Sequence, residues 1–196
     1  MFTGIVETQG IIKKITGKGT NKTFWIKSSI SSKLKVDQSI AHDGLCLTVE
    51  EVKGNRHRVT AIDETLSRTN LVDWREGSII NLERCLRTND RLDGHFVQGH
   101  IDAVAICIDR KEKDGSWEFS FQFPLKFGQL IIEKGSVALN GISLTAFNVT
   151  PNTFDVAIIP FTYNNTNLNT VNAGQKVNIE FDMLGKYINR KLSLSR

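Results

Sequence analysis

Residues 39–52 read SIAHDGLCLTVEEV, and residues 136–149 read SVALNGISLTAFNV. The two stretches align without a gap at an offset of 97 residues, and the match continues to residues 69–71 and 166–168, which both read TNL. Self-similarity at one fixed offset over this distance indicates a duplicated structural unit. The 196 residues therefore predict two copies of one small domain.

A second match marks the beginning of each copy. Gly4-Ile5-Val6 aligns with Gly99-His100-Ile101 at an offset of 95 residues. The polar stretch Arg87–Gly94 has no clear periodicity, so we interpret it as a linker or loop between the copies. We expect domains at residues 1–88 and 89–181, followed by a C-terminal segment at residues 182–196.

The composition is that of an ordinary globular protein, with 40% hydrophobic and 23% charged residues. The net charge of +4 comes from 25 basic and 21 acidic residues of interspersed sign, and there is no nucleic-acid motif, so we expect no nucleic-acid partner. The chain has neither a run of about 18 apolar residues nor a signal-peptide pattern at its start. We therefore expect no membrane association and a cytoplasmic location.

The cysteines and histidines give no sign of a disulfide framework or a metal site. The three cysteines, Cys46, Cys85 and Cys107, are odd in number and form no CxxC pair, which predicts reduced thiols. The four histidines form no HExxH motif and no Cys/His cluster with ligand spacing, so we expect no metal. Neither GxGxxG nor GxxxxGK[ST] occurs, so a nucleotide cofactor is not supported.

Short segments rich in β-branched and aromatic residues alternate with turn residues in each copy. This pattern favours an all-β barrel or sandwich over βαβ units. In the first copy the predicted strands are Ile11–Ile15, Thr23–Lys27, Leu45–Val52, Arg56–Ile62 and Ile79–Arg84.

Two helices interrupt this pattern in the second half of the chain. Pro124 predicts a short helix that runs through Ile131. Asp182 is a suitable N-cap for a C-terminal helix with apolar residues at helical spacing. A lone helix of this length needs a packing partner, either its own barrel or a helix of another subunit. The apolar residues are Leu184, Tyr187, Ile188 and Leu192.

The two copies differ at positions where reactive side chains stand. Cys46 aligns with Ser143, His42 with Leu139, and Ile5 with His100. A thiol and an imidazole are the side chains best suited to act as nucleophile or proton carrier near neutral pH. If the copies bind two similar molecules in different roles, these differences are the expected ones.

Other positions are the same in both copies, including the pairs Thr48 and Thr145 and Gly44 and Gly141. A threonine hydroxyl can bind the edge of a heterocycle, and a glycine lets a flat ring approach the backbone. The glycines are equally explained as turn residues between strands. Likewise, Cys46 alternates with leucines and is equally explained as a packing cysteine.

Five motifs in this order, together with the duplication, resemble the riboflavin synthase family of lumazine-binding proteins over essentially the whole chain. They are MFTGIVE at residues 1–7, GLCLTV at 44–49, GHFVQGHID at 94–102, GISLT at 141–145 and VNIEFDMLGKY at 177–187. The resemblance implies two similar six-stranded Greek-key β-barrels and a C-terminal α-helix through which three chains form a homotrimer. It places the active site between the N-terminal barrel of one subunit and the C-terminal barrel of another.

The resemblance also implies a reaction. Two molecules of 6,7-dimethyl-8-ribityllumazine would be converted into riboflavin and 5-amino-6-(D-ribitylamino)uracil by transfer of a four-carbon unit, with no cofactor. The alternative is a non-catalytic antenna protein that binds a lumazine or flavin without turning it over. The resemblance also suggests lumazine synthase as a partner protein.

Site residues follow from the matching motifs. Those assigned to the first barrel are Ser39, Cys46, Thr48, Ile62 and Thr65, and those assigned to the second barrel are Ser143, Thr145, Ile159 and Thr162. Further matches at or near the cleft are Phe2, Thr3, His100, Lys134 and Asp182, and four glycines join the binding set, Gly4, Gly44, Gly99 and Gly141. Our hypothesis is that His100, assisted by Ser143 and Thr145, transfers the proton, while Cys46 or a bound water adds to the acceptor ring.

Overall fold

The structure is a computed structural model that describes residues 1–195, with thirteen β-strands and three α-helices in that range. The first copy holds β1 (Thr8–Lys18), β2 (Asn21–Lys27), β3 (Ser39–His42), β4 (Leu45–Thr48), β5 (Glu51–Lys53), β6 (Arg56–Ala61), α1 (Asp63–Arg68) and β7 (Ile79–Arg84). The second copy holds β8 (Ala103–Lys113), β9 (Ser116–Gln122), β10 (Ser136–Leu139), β11 (Ile142–Phe147), β12 (Thr153–Ile158), α2 (Pro160–Asn165) and β13 (Lys176–Phe181). The chain ends with α3 (Met183–Leu194).

Each copy forms its own antiparallel β-structure. The second copy is a closed barrel in the order β10-β11-β12-β9-β8-β13, and the first is a sheet in the order β4-β3-β7-β1-β2-β6-β5. Strands β9 and β10 follow one another in the chain but are not neighbours in the barrel, as a Greek-key connection requires. The predicted all-β architecture of two similar Greek-key barrels and a C-terminal helix is confirmed.

The predicted strand over residues 45–52 is divided in two. The backbone N–H of Val49 donates to the carbonyl of Gln38 at 2.8 Å, whereas the N–H of Glu50 donates to the carbonyl of Arg58 at 2.9 Å. The chain therefore leaves β3 and joins β6 between these two residues. Strands β4 and β5 are the two edges of the sheet, and the continuous segment 45–53 links them. If β4 and β5 are counted as one strand, the first copy has the same six-strand order as the second.

Each barrel has a separate apolar core. Alternate residues of β2 and β9 point inward and are fully buried, among them Phe24 and Ile26 in the first barrel and Phe119 and Phe121 in the second. Burial of one such side chain contributes about 2 to 3 kcal/mol. The side chains between these buried residues point to the outer face of each sheet.

A pair of buried histidines distinguishes the interior of the first barrel. His42 Nε2 lies 2.9 Å from His57 Nε2, and His42 Nδ1 lies 3.1 Å from the carbonyl oxygen of Ile40. Since a carbonyl only accepts, His42 donates from Nδ1 and accepts the proton of His57 at Nε2. Burial lowers the pKa of both rings, that of His57 to about 4. Both histidines are thus neutral packing residues, and the difference between His42 and Leu139 belongs to the core.

The two copies are joined by a reciprocal exchange of hydrogen bonds. The N–H of Asn70 donates to Asn178 Oδ1 at 2.8 Å, and the N–H of Asn167 donates to Asn81 Oδ1 at 2.8 Å. These pairs are related by the 97-residue offset, so the interface has approximate twofold symmetry. All four asparagines are buried, and their side-chain N–H₂ groups donate to one another, to Asp43, to Asn140 and to nearby main-chain carbonyls.

Two glycine turns meet at the centre of this interface. The turns Asp43-Gly44 and Asn140-Gly141 join β3 to β4 and β10 to β11, with positive φ at all four residues, as two-residue hairpin turns of this kind require. A Cβ on Gly44 would come within 2.7 Å of the backbone nitrogen of Gly141, and the reverse holds for a Cβ on Gly141. These glycines serve the turns and the contact between copies, which is one of the two explanations that the sequence left open.

The C-terminal helix begins as predicted. Asp182 accepts a hydrogen bond from the N–H of Leu184 at 2.9 Å and caps α3. Near it, Pro124 precedes a single 3₁₀ helix at Leu125–Leu130, against which α3 packs. The apolar stripe of α3 stays between 60% and 69% exposed. Among residues 1–195, no helix is long and apolar enough to cross a membrane.

The buried Asp43 predicts a pH dependence of stability. Its Oδ1 accepts from the N–H of Asn81 and from the amide of Asn167, yet burial raises its pKa from 3.8 to about 7. Above that pH the folded protein holds an ionised carboxylate in a site that disfavours it, so this group stabilises the fold more as pH falls from about 7 towards 3.8. Asn140 stands at the same position of the second copy.

We therefore expect Asp43→Asn to stabilise the protein more at pH 8 than at pH 5, by about 2 kcal/mol in the free energy of unfolding. Urea denaturation at the two pH values measures this difference. Asp114→Asn, at an exposed hairpin turn, is the matched control and is expected to show no such dependence. A stability change of Asp43→Asn that is the same at both pH values would contradict the assignment.

Candidate functional site

In the second barrel an edge of β11 is left open where the pairing of β11 with β12 stops. The ladder between them runs only from Ala146 opposite Val156 onward, whereas Ser143 and Thr145 come before it. The N–H of Ser143 points away from β10 and donates to the carbonyl of Gly4 at 2.8 Å. Because antiparallel strands alternate, the main-chain groups of Thr145 face the same open edge. An edge of this kind can bind the polar rim of a flat heterocycle.

The first barrel has an equivalent groove beside β4. Pairing of β5 with β6 begins at Glu51 opposite Arg58, so Cys46 and Thr48 lie before the ladder. The N–H of Cys46 donates to the carbonyl of Gly99 at 2.9 Å, as that of Ser143 does to Gly4. We call these two sites the first groove and the second groove. Each is bordered by the beginning of the opposite copy, residues 98–100 at the first groove and residues 3–4 at the second, which we call the entry segments.

The far side of each groove carries an exposed isoleucine and a threonine. Ile62 and Thr65 stand at the start of α1, directly after β6, and Ile159 and Thr162 stand at the start of α2, directly after β12. Ile62 is 54% exposed and Ile159 is 60% exposed. An exposed apolar side chain beside an unpaired strand edge offers a face for a planar ring and hydrogen bonds for its rim. The same arrangement occurs in both copies.

A buried histidine lies against Ser143 in the second groove. His95 Nδ1 is 2.7 Å from Ser143 Oγ, while no partner within residues 1–195 reaches its buried Nε2. Burial lowers the pKa of His95, and the charge of Asp182 partly opposes that shift. The imidazole is therefore neutral near pH 7 and can exchange a proton with the serine hydroxyl.

Sequence comparison between the copies missed His95. The repeat alignments at offsets of 95 and 97 residues pair His95 with no residue of the printed sequence, so comparison of the copies gives no signal for it. The only available signal is the sequence GHFVQGH itself, in which we gave weight to the second histidine.

Cys46 occupies the position of Ser143 in the first groove, but it is not an activated nucleophile. The side chain is half-buried, and burial raises the pKa of its thiol, with a partial offset from Ser39. A thiol must lose its proton to attack, so Cys46 is in its unreactive form at neutral pH. All three cysteines are free thiols, as predicted.

His100 belongs to the first groove within one chain. Its side chain is exposed, and its N–H donates to Glu180 Oε2 at 2.8 Å, next to the glycine whose carbonyl binds Cys46. Ser143 and Thr145 belong to the second groove. Within one chain the backbone of His100 borders one groove while Ser143 and Thr145 belong to the other, and the joint action of the three residues stays a prediction.

Three further residues that the sequence assigned to the cleft differ in their exposure: Phe2, Thr3 and Lys134. Phe2 is fully buried between the copies, and Thr3 is bound through its N–H and hydroxyl to Glu83. Lys134 is exposed beside β11, with its ammonium 5.1 Å from the ring centre of Phe147. Thus Phe2 and Thr3 support the walls of the grooves, whereas Lys134 is free to reach a ligand.

Ser39 borders a large polar cleft next to the first barrel. The cleft has a volume of about 970 Å³, within the range of small-molecule sites. Its charged lining consists of Lys33, Lys35, Arg84, Arg87, Arg91, Glu7, Glu83, Asp90 and Asp93. Charges of both signs therefore surround Ser39, with Cys85 donating from its thiol to the Ser39 carbonyl. Within residues 1–195, no cluster of histidine, cysteine and carboxylate side chains could hold a metal ion.

Comparison with solved structures identifies the fold. The structure is similar to that of LumP complexed with riboflavin, with a TM-score of 0.86 and 24% identity over 92% of this chain and 99% of that chain. LumP complexed with 6,7-dimethyl-8-(1'-D-ribityl) lumazine gives a TM-score of 0.84 and 23% identity, over 92% and 99% of the two chains. At these identities the likeness concerns the fold.

Comparison of sequences identifies the family. The family model for the lumazine binding domain matches residues 3–85 and again residues 98–182. Riboflavin synthase of Bacillus subtilis is 38% identical over 193 residues, which cover 98% of this chain and 90% of that protein. Riboflavin synthase of Saccharomyces cerevisiae is 35% identical over 208 residues, which cover 100% and 87%. The chain therefore belongs to the lumazine-binding domain family that includes the riboflavin synthases.

Proposed function

We propose that this protein catalyses the riboflavin synthase reaction, in which one 6,7-dimethyl-8-ribityllumazine passes a four-carbon unit to another. The observation that carries the proposal is the presence of two equivalent grooves in one chain, each with its strand edge, threonines and exposed isoleucine intact. A reaction between two identical molecules needs two binding sites. The full-length similarity to riboflavin synthases supports the same activity.

Each groove would bind one lumazine in the same way. The apolar part of the ring lies against Ile62 or Ile159, and the carbonyl and N–H groups of its pyrimidine rim bind the open edge at Thr48 or Thr145. Hydrogen bonds of this type fix the orientation of the ring, and orientation of two reactants is a large part of such a rate enhancement. Thr65 and Thr162 would supply further hydrogen bonds to the same rim.

The main chemical requirement of the reaction is proton transfer. The 7-methyl group of the lumazine is acidic because its carbanion is delocalised into the ring. The second groove supplies a hydroxyl, Ser143, that is hydrogen-bonded to the neutral imidazole of His95. We infer that this pair shuttles the proton and stabilises the developing anion, with His100 of a neighbouring subunit completing the set. No cofactor is expected, because carbon is exchanged between two molecules of one compound.

The acceptor ring needs a nucleophile, and the residues near the first groove favour water. The thiol of Cys46 is neutral at pH 7, since burial raises its pKa. A water molecule bound beside it can add to the ring without an activated thiolate. Cys46 then serves as a wall of the first groove, in the place that Ser143 takes in the second.

The competing function is a carrier that binds a lumazine or flavin without reaction. The similarity of the fold to LumP bound to riboflavin favours this alternative at the level of the fold. A carrier needs only one good groove, whereas the reaction needs two. The retained groups in both grooves favour the enzyme.

Incubation of the purified protein with 6,7-dimethyl-8-ribityllumazine alone decides between these functions. We expect consumption of two substrate molecules for each riboflavin formed, without added cofactor, and binding of two ligands per chain. Absorbance, chromatography and equilibrium dialysis measure these quantities. One ligand bound per chain without riboflavin formation would establish the carrier.

The pairing of His95 with Ser143 predicts a graded effect of substitution. We expect His95→Ala to lower kcat at least about tenfold, because the proton partner of Ser143 is lost. His95→Asn keeps a polar atom near the position of Nδ1 but cannot exchange a proton with Ser143, so we expect its kcat to stay low while its affinity for substrate is retained. Turnover and binding are measured separately for both variants. An unchanged kcat in His95→Ala would remove His95 from the mechanism.

We further propose that three chains associate through α3 and that the active site lies between the first barrel of one subunit and the second barrel of another. The exposed apolar stripe of α3 supports this proposal, since its four side chains find no cover within residues 1–195. The separation of His100 from Ser143 and Thr145 within a chain supports it as well. Association would bring the first groove of one subunit to the second groove of the next.

A charged residue introduced on the apolar stripe of α3 tests the proposed association of the chains. We expect Ile188→Lys to give monomers that bind lumazine and have lost turnover, because a buried lysine would be unpaired. Ser193→Lys places the same charge off the stripe and is expected to stay assembled and active. Sedimentation velocity gives the oligomeric state. Full turnover by a monomeric Ile188→Lys variant would contradict an active site between subunits.

Three further proposals rest on the sequence alone. They are the domain limits 1–88, 89–181 and 182–196, a cytoplasmic location, and association with lumazine synthase. The first agrees with the placement of β7 before residue 88 and β8 after it. Co-sedimentation with purified lumazine synthase would measure the association directly.

A further inference from the structure

Two buried carboxylates hold the entry segments of the two copies. Glu83 accepts hydrogen bonds from the N–H of Thr3 at 2.6 Å, the hydroxyl of Thr3 at 2.7 Å and the N–H of Gly4 at 3.0 Å. The carboxylate therefore fixes the direction in which the entry segment of the first copy leaves its own barrel.

The second copy repeats this arrangement. Glu180 accepts from the N–H groups of Gln98 at 2.6 Å, Gly99 at 2.8 Å and His100 at 2.8 Å. Glu83 and Glu180 are equivalent under the 97-residue offset, and both are buried. Each carboxylate thus binds the beginning of its own copy.

The bound segments reach into the opposite barrel. The carbonyl of Gly4 accepts from the N–H of Ser143, and the carbonyl of Gly99 accepts from the N–H of Cys46. Both glycines have positive φ and pack so closely that an added Cβ would lie 2.6 Å from the Ser143 Cβ or 2.5 Å from the Cys46 Cβ. Displacement of either segment therefore moves the groove residue of the other copy.

We propose that the two carboxylates act crosswise as positioning residues. Glu83 of the first barrel positions Ser143 in the second groove, and Glu180 of the second barrel positions Cys46 in the first groove. Their role in the reaction rests on the proposed function, since it assigns the two grooves to the two lumazine molecules. Neither carboxylate needs to touch a ligand for this effect.

A carboxylate is the side chain that fits the task. It accepts several hydrogen bonds and donates none, so it satisfies three N–H or O–H groups together. Hydrogen bonds to a charged acceptor are stronger than neutral ones, and here they offset part of the burial that raises the pKa of both glutamates. A glutamine of the same shape would turn an amide N–H₂ towards these donors and release part of the segment.

The alkylation rate of the Cys46 thiol measures how firmly the first groove is covered. In a Cys85→Ser background, Cys46 is the half-buried thiol and Cys107 is buried, so slow alkylation by iodoacetamide follows Cys46. We expect Glu180→Gln to raise the alkylation rate of Cys46 about fivefold or more, because its cover is loosened. Glu83→Gln is expected to leave this rate within about twofold, although both variants lose one buried charge. Peptide mapping by mass spectrometry measures the rates.

The reciprocal probe reports the second groove. Ser143→Cys, in a background with Cys46→Ser and Cys85→Ser, places a thiol at the equivalent position. We expect Glu83→Gln to raise its alkylation rate and Glu180→Gln to leave it unchanged. Glu118→Gln, an exposed ion-pair partner of Lys113, is the matched control for loss of one carboxylate and is expected to change neither probe.

Two outcomes would overturn the proposal: a change confined to the groove of the same barrel, and an equal change in both grooves. If a glutamine variant fails to fold, Glu83→Asp and Glu180→Asp carry the same test, since the shorter side chain weakens the contacts while it keeps the charge. The readout does not depend on turnover. Failure of the crosswise pattern is therefore distinct from failure of the proposed reaction.

Discussion

The contact between the two copies is the constraint on which the rest of this structure depends. At its centre the backbones of Gly44 and Gly141 meet so closely that neither can carry a Cβ, and the asparagines around them exchange hydrogen bonds in pairs. Buried amides that are left unpaired cost about 1 to 3 kcal/mol each, so these hydrogen bonds favour the observed relative placement of the barrels over others. The placement in turn brings each entry segment against the opposite barrel and gives both grooves their second wall.

Duplication supplies the grooves, and divergence gives them different chemistry. Both copies keep the open strand edge, the exposed isoleucine and the threonines, which are the parts that we propose bind the ring. They differ in the groups that can act on it. Ser143 with His95 forms a polar pair that can exchange a proton, whereas Cys46 is a neutral thiol beside a histidine on the surface. Equal binding with unequal reactivity is what a reaction between two identical molecules requires.

The sequence predicted most of the fold because the repeat doubled every local signal. Most of the predicted strands, the cap at Asp182 and the short helix after Pro124 follow from local chemistry, and the structure agrees with them. The break at Val49 was missed because the alternation of apolar residues continues through it, while the hydrogen bonds change partner. Phe2 and Gly44 matched family positions, but their burial between the copies depends on tertiary contacts that no local pattern encodes. His95 was missed because the alignment of the two copies pairs it with no residue of the printed sequence.

The distribution of reactive groups over one chain also argues for assembly. His100 is tied by Glu180 to the first groove, and the pair of His95 and Ser143 is tied to the second. A chain acting alone would offer each bound lumazine only part of the proton-transfer set. A second chain that presents its first groove to the second groove of its neighbour would join the imidazole to the serine and threonine. The exposed stripe of α3 offers the apolar area that such an association needs, because side chains exposed to this extent gain free energy when a like helix covers them.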